Sequence, residues 1–323
     1  MFYMVNYIML KHFITRRRNM KQIMLAGRLP VSSIAMGCMR LDGAKETPDR
    51  VIGTALELGI NFFDHADIYG GGRCEEIFGS YLAQNPSLRQ KIIIQTKCGI
   101  RNGFFDFSKE HILKSVDASL KRLRTDYIDI LLLHRPDTLM EPEEVASAFD
   151  ALEQSGKVRM FGVSNHNPMQ IELLKTAVRQ QIVADQLQFS VPECGLVTSG
   201  LNVNMKNDES FMHDGSALEY MRIKGITIQA WSPFQGGFFK GPFVGDREKY
   251  PALNEKLDEM SAKYGVPPVA VAAAWILRHP AKIQLISGSV SPQRMCDIAR
   301  GADIELTRED WYDIYRSAGF RLP

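Results

Sequence analysis

Asp64, His65, Asp67 and Tyr69 crowd into one stretch, Gly59 to Gly72, which reads GINFFDHADIYGGG. The apolar run Ile60 to Phe63 has the length of a buried strand, and the polar residues stand at its end. Tyr69 follows Asp64 by five residues and runs into three glycines, so its hydroxyl can face a cleft with no helix in the way. Taken alone, the stretch reads equally well as a strand end with a hydrogen-bonded aspartate and a turn tyrosine packing its ring. Lys97, at the end of IIIQTK, and His134, at the end of YIDILLLH, add to it. A phenol has an ordinary pKa of about 10 and is a poor acid at neutral pH unless a cation lowers it. Lys97 is the candidate cation, Asp64 the partner that keeps it charged and aimed, and His134 a donor that orients a substrate oxygen. Singly, each has a structural reading: a buried ion pair for Asp64 with Lys97, a core histidine for His134, a loop ring for Tyr69. As a set they are chemically coherent.

The pattern around them supplies the elements that must position such groups. Short apolar runs predict strands over 34–39, 61–65, 92–97, 128–134, 158–164, 184–188, 227–231 and 283–287. Amphipathic spacing predicts helices over 48–58, 74–84, 109–123, 142–155, 168–179, 215–224 and, after a long loop, 269–278, with 293–299 and 308–317 closing the chain. Strict alternation of eight strands with helices predicts a (β/α)8 TIM barrel, because each parallel crossover needs a helix to return the chain. Two short stretches between 23 and 33, around Gly27, predict a β-hairpin lid over one barrel end. Reacting groups in such a barrel come from the C-terminal strand ends. Seven of the eight expected ends carry polar or ionisable residues, which packing alone does not require.

Composition narrows the function classes. The chain has 323 residues, 45% hydrophobic, with 39 Lys+Arg against 37 Asp+Glu, so no charge excess argues for nucleic acid as a partner. Five scattered cysteines without a CxxC pair read as reduced thiols of a cytoplasmic protein. Residues 1–19 differ from the rest and read as an unstructured tail or a misassigned start, leaving 20–323 as a single barrel domain. Their apolar run precedes its arginines, unlike a secretory signal, and is too short to span a bilayer; a short amphipathic anchor is the alternative. No metal is expected, since no HxH pair stands on a strand and Lys97 would sit badly beside a cation.

The stretches GINFFDHADIYGGG, IIIQTKCGI, YIDILLLHRPD, GKVRMFGVSN, DQLQFS, ITIQAWSPFQGG and LISGSVSPQR resemble, in order and spacing, those of the aldo-keto reductase superfamily. The resemblance covers the chain from about Met20 to its end. It implies a barrel that binds NADPH without a dinucleotide-binding G-x-G-x-x-G motif and reduces an aldehyde or ketone to the alcohol. Carried over by motif, it makes Tyr69 the general acid, Lys97 and Asp64 its tuning pair and His134 the orienting group. Ser164, Asn165 and Gln186 resemble the residues that bind the nicotinamide carboxamide, and Trp231 the ring that stacks on it. Ser232, Pro233 and Gly236 resemble the segment crossing the pyrophosphate, and Ser289 and Arg294 the 2′-phosphate site.

The chain departs from the family pattern at Gly288, where many members carry a lysine, and at Asp297 and Ile298 near the adenine. Those departures leave NADH open as a second cofactor. Substrate choice falls to the loops at the same face, with Cys38, Met39, Phe104 and Phe105 as candidates and a small-molecule carbonyl as the partner. Their aromatic clustering favours an apolar or aromatic carbonyl pocket, or else packs the loops down. A monomer or small homo-oligomer with no membrane partner is expected. The alternative function is a cofactor-binding, redox-sensing auxiliary subunit of a channel or complex, which some relatives of this family are.

Overall fold

The computed structural model describes residues 20–201, 216–237 and 240–320; residues 1–19, 202–215, 238–239 and 321–323 lie outside them. In chain order the strands are β1 (Gln22–Leu25), β2 (Leu29–Ser32), β3 (Ile34–Gly37), β4 (Phe62–Asp64), β5 (Ile93–Cys98), β6 (Ile100–Arg101), β7 (Phe104–Phe105), β8 (Ile128–Leu133), β9 (Val158–Ser164), β10 (Ile182–Gln188), β11 (Thr227–Trp231) and β12 (Gln284–Ser287). Eight of them, β3, β4, β5, β8, β9, β10, β11 and β12, form a closed barrel in that order. All neighbours are parallel, and β12 returns to pair with β3 through Leu285 opposite Ile34. This is the α/β TIM barrel.

The strands form where they do because both of their faces are covered. Every residue of β8 (IDILLL) is buried, the outer face under helices and the inner in the barrel core. The helices start on local signals: Thr47 caps Pro48–Glu57 by accepting from Arg50 N, Ser108 caps Lys109–Leu123, and Asn167 forms a capping box with Gln170. The C-terminal helix Arg308–Ser317 is tied to the barrel's outer layer by Trp311. Its indole stacks on Trp275 at 4.7 Å, and each indole N–H donates to the other residue's carbonyl at 3.0 Å.

The hairpin β1–β2 seals the end of the barrel opposite the polar strand ends. Leu25 and Val31 insert among Ala35, Phe62, Ile130, Leu132 and Ile286, and Ala26 N donates to Thr227 Oγ1, at the start of β11, at 2.9 Å.

The structure differs from the sequence expectation in several places. The long loop expected before residue 269 contains a helix, Pro251–Tyr264, started by a first-turn proline and ended by Gly265 at φ 65°. Its buried side chains are only Leu253, Asn254, Leu257 and Met260, so its apolar stripe is too thin to stand out. The loop after β10 carries a short helix, Gly195–Leu201. Strand β3 ends at Gly37, and Cys38 and Met39 lead into a short 3₁₀ turn, Leu41–Gly43. The helix expected over 168–179 stops at Lys175, and that expected from 215 is described from Ala217.

Candidate active site

Lys97 is fully buried in β5, and its ammonium has three partners for its three hydrogens. It donates to Asp64 Oδ2 at 2.8 Å, to the His65 carbonyl at 2.7 Å and to the Tyr69 hydroxyl at 3.0 Å. Asp64, 2% exposed at the end of β4, is held by the barrel wall. Tyr69 is held by the turn beyond it. Gly70, Gly71 and Gly72 adopt φ of 57°, 63° and 94°, a left-handed path that side chains disfavour, and a Cβ on Gly70 would stand 2.5 Å from Asp42 Oδ2. The glycines thus let the chain double back so that the phenol meets the lysine.

Burial opposes the charge on Lys97, yet the attraction of Asp64 and Tyr69 outweighs it and raises the ammonium's pKa. For Tyr69 burial is the largest effect and raises the phenol's pKa; Lys97 pulls it down and Asp64 pushes it up. The net direction is upward, the reverse of the lowering expected from sequence, because desolvation of the phenolate outweighs the one cation. His134, just beyond β8, presents its ring edge-on to Tyr69, with centroids 6.0 Å apart. Burial first, then Lys97 and Arg135, hold its pKa well below the ordinary value, so the imidazole is neutral and carries one N–H.

Beside these four lies a second hydrogen-bonded group. Ser164 Oγ donates to the Gln186 carbonyl at 2.9 Å and accepts from Asn165 Nδ2 at 2.8 Å. Asn165 Oδ1 accepts from the Trp231 indole at 3.1 Å. Asn165 and Ser232 sit at φ of 60° and 49°, turning the chain sharply at the ends of β9 and β11. Gln186 Nε2 donates to Asp64 Oδ1 at 3.1 Å, which links this group to the first.

Other candidate positions stand further along the same strand ends. Pro233 and Gly236 are buried in the turn after β11, with the Gly236 carbonyl accepting from Tyr250 at 3.0 Å. Beyond β12, a Cβ on Gly288 would meet only open space, Ser289 Oγ accepts from Ser291 N, and Arg294 is exposed in the first turn of the helix Pro292–Ala299. Cys38 is buried near Asp64, whereas Met39 is 41% exposed. Phe104 and Phe105 pair with Arg101 and Ile100 in the small β6–β7 hairpin, 55% and 43% exposed, while Phe107 is buried and stacks on His166.

Three features escaped the sequence reading. Arg135 follows His134 and is half-buried near Tyr69, with its guanidinium 5.6 Å from the Trp231 ring centroid, and burial lowers its pKa. Asp185 is buried beside the backbone of Asn165 and His166, and burial drives its pKa well up. Gln95, Gln229 and Gln284 lie inside the barrel below Asp64. Their signal was present: IIIQTK, TIQAW and KIQLI each interrupt an apolar run with a glutamine.

A sequence model of the aldo/keto reductase family matches residues 33–317. The chain belongs to this family. It is 37% identical over 319 residues to the uncharacterized oxidoreductase YcsN of Bacillus subtilis, covering 94% of this chain and all of that one. It is 36% identical over 314 residues, 93% of this chain and 98% of the other, to a 6-dehydroglucose reductase of Agrobacterium fabrum. Among solved structures, the aldo/keto reductase of Klebsiella pneumoniae in complex with NADP and acetate superposes with a TM-score of 0.73 over 94% of this chain and 96% of that one, at 20% identity. As an aldo/keto reductase the chain is an oxidoreductase, and among its described residues no helix is long and apolar enough to cross a membrane and no group of three or more His, Cys, Asp or Glu side chains is arranged to hold a metal.

Proposed function

We propose that this aldo/keto reductase uses NADPH to reduce an aldehyde or ketone to the alcohol, with Tyr69 as the proton donor. The observation that carries the proposal is the Lys97 ammonium joining Asp64 to the Tyr69 hydroxyl.

The residues beside that centre fit a nicotinamide cofactor. Trp231 offers a half-buried flat ring, Asn165 and Gln186 offer amides held by fixed partners, Gly288 leaves open space beyond β12, and Arg294 is exposed in the helix that follows. Arginine's planar fork suits a phosphate. The Klebsiella pneumoniae aldo/keto reductase, solved in complex with NADP, supports the same reading by family likeness. When bound, the reduced nicotinamide supplies a hydride to the carbonyl carbon. Tyr69 gives its hydroxyl proton to the carbonyl oxygen, so hydride and proton add across the C=O bond and the alcohol leaves. The phenolate left behind is stabilised by the Lys97 ammonium, and Asp64 keeps that ammonium charged and aimed. His134, neutral, donates its single N–H to the same oxygen and fixes its angle of approach.

Arg135 bears on the substrate class. Its positive charge beside Tyr69 and Trp231 favours a carbonyl compound rich in oxygen, and the relative from Agrobacterium fabrum is named for a sugar-derived carbonyl substrate. We assign a polyhydroxylated aldehyde as the substrate class. The exposed Phe104 and Phe105 favour an aromatic aldehyde as the second reading.

The test is NADPH oxidation with a sugar aldehyde and an aromatic aldehyde, by the parent and by Tyr69→Phe, with NADPH binding followed by fluorescence. Turnover by the parent, a loss of at least about a hundredfold in the variant and equal NADPH binding by both are expected. NADPH binding without turnover of any carbonyl would overturn the catalytic reading.

A further inference from the structure

Four buried glutamines from four strands meet inside the barrel. Gln95 of β5, Gln186 of β10, Gln229 of β11 and Gln284 of β12 are all at most 3% exposed. Strands β5 and β11 are not neighbours in the barrel, so a bond between their side chains crosses its interior. Gln95 Nε2 donates to Asp64 Oδ1 at 2.7 Å and to Gln229 Oε1 at 2.8 Å. Gln186 Nε2 donates to the same two oxygens, at 3.1 and 3.3 Å. Gln229 Nε2 donates in turn to Gln284 Oε1 at 2.9 Å, and Gln284 Nε2 to the Ser32 carbonyl at 2.9 Å.

One carboxylate orients the whole array. An ionised Asp64 only accepts, so Gln95 and Gln186 must turn their N–H₂ groups toward it. The second hydrogen of each N–H₂ goes to Gln229 Oε1, which fixes that amide, and its N–H₂ fixes Gln284 through the next oxygen. Both hydrogens of Gln95 and of Gln186 are therefore spent and both Oε1 atoms are left over, that of Gln95 buried without a partner in the barrel interior and that of Gln186 at the strand end beside Asn165. An isolated side-chain amide can flip and offer either end; that of Gln186 offers an acceptor.

We propose that Gln229 is a positioning residue that holds the Gln186 amide with its carbonyl oxygen toward the cofactor, so that the site selects a nicotinamide bearing an N–H₂ donor. The proposal rests on the nicotinamide reading given above. Without Gln229 Oε1, one hydrogen of Gln186 loses its partner, only the 3.1 Å bond to the Asp64 oxygen that Gln95 shares still holds the amide's direction, and the selectivity falls.

The experiment compares kcat/KM for NADPH with that for its reduced 3-acetylpyridine analogue, which has an acetyl group in place of the carboxamide. A site with a fixed acceptor rejects the analogue lacking the donor, so a preference for NADPH of about tenfold or more is expected in the parent. Gln229→Met should bring it within about threefold, while Gln284→Met, which breaks the array one link further from Asp64, should keep it. An unchanged preference in Gln229→Met, or an equal loss in Gln284→Met, would overturn the proposal. If Gln229→Met does not fold, side-chain amide hydrogen exchange in the parent decides. Protection of the Gln186 N–H₂ by about a hundredfold over a free glutamine amide supports the array, and exchange at the free rate overturns it. A parent that neither binds nor oxidises NADPH overturns the functional reading itself, whereas a parent that does both while Gln229→Met stays selective overturns only the role of Gln229.

Discussion

The Lys97 ammonium donates to the Tyr69 hydroxyl oxygen at 3.0 Å, so the phenol keeps its own hydrogen for another acceptor. Replacing Lys97 with Met removes the charge that stabilises the phenolate and leaves Asp64 buried without its ion-pair partner. Turnover should fall by about a thousandfold, and the fold should lose about 3–5 kcal/mol. In the double variant Lys97→Met with Asp64→Asn, thermal stability should recover and turnover should not. Melting curves beside kcat values separate the two effects.

With Tyr69 as the proposed proton donor, its raised pKa should set the pH dependence of reduction. A proton donor works while protonated and fails as the pH rises through its pKa. The kcat for carbonyl reduction should therefore show no alkaline decline below about pH 10. A decline centred near neutrality would mean that the bound cofactor reverses the balance between burial and Lys97.

Asp67 governs a pH effect on stability instead. Burial first, and repulsion from Glu75 next, raise its pKa from 3.8 to about 7. The folded carboxyl then takes up protons more readily than the unfolded one, so its contribution is fully present below pH 3.8 and is lost as the pH rises to about 7. Asp67→Asn should be more stable than the parent at pH 8 by about 1–2 kcal/mol, a value discounted for partial exposure. Below pH 3.8 the advantage should vanish, and melting temperatures across that range check it.

The reciprocal bonds between Trp275 and Trp311 predict a cost for a substitution far from the active site. Trp311→Phe keeps a stacked ring but strips the Trp275 carbonyl of its donor. Denaturant unfolding should register a loss of about 1–3 kcal/mol, with turnover unchanged.

The barrel was legible in the sequence because its strands are short apolar runs punctuated by helices with clear caps, such as Thr47 and Ser108. The meeting of Asp64, Tyr69, Lys97 and His134 was legible for a related reason. In a barrel, strand ends that are distant in sequence share one rim. What escaped depended on direction in space. Gln95 and Gln229 look like ordinary breaks in apolar runs, and only the closed barrel brings them together across its interior, where Gln95 also reaches the Asp64 carboxylate. The upward pKa of Tyr69 escaped because a sequence shows which charges exist but not how deeply water is excluded. The helix Pro251–Tyr264 escaped because only three of its apolar side chains are buried, a stripe too sparse to read as a helix face.

The seal formed by β1 and β2 has a consequence for how the chain reaches this state. Ala26 bonds to Thr227 and the Ser32 carbonyl to Gln284, partners separated by 201 and 252 residues. The barrel itself closes only when β12 reaches β3. A growing chain therefore carries Leu25 and Val31 only partly covered, by Ala35, Phe62, Ile130 and Leu132, until Ile286 of the last barrel strand completes the cluster. The hairpin precedes in the chain most of the strands that cover it, and the rate of barrel closure sets how long its apolar side chains stay open to aggregation.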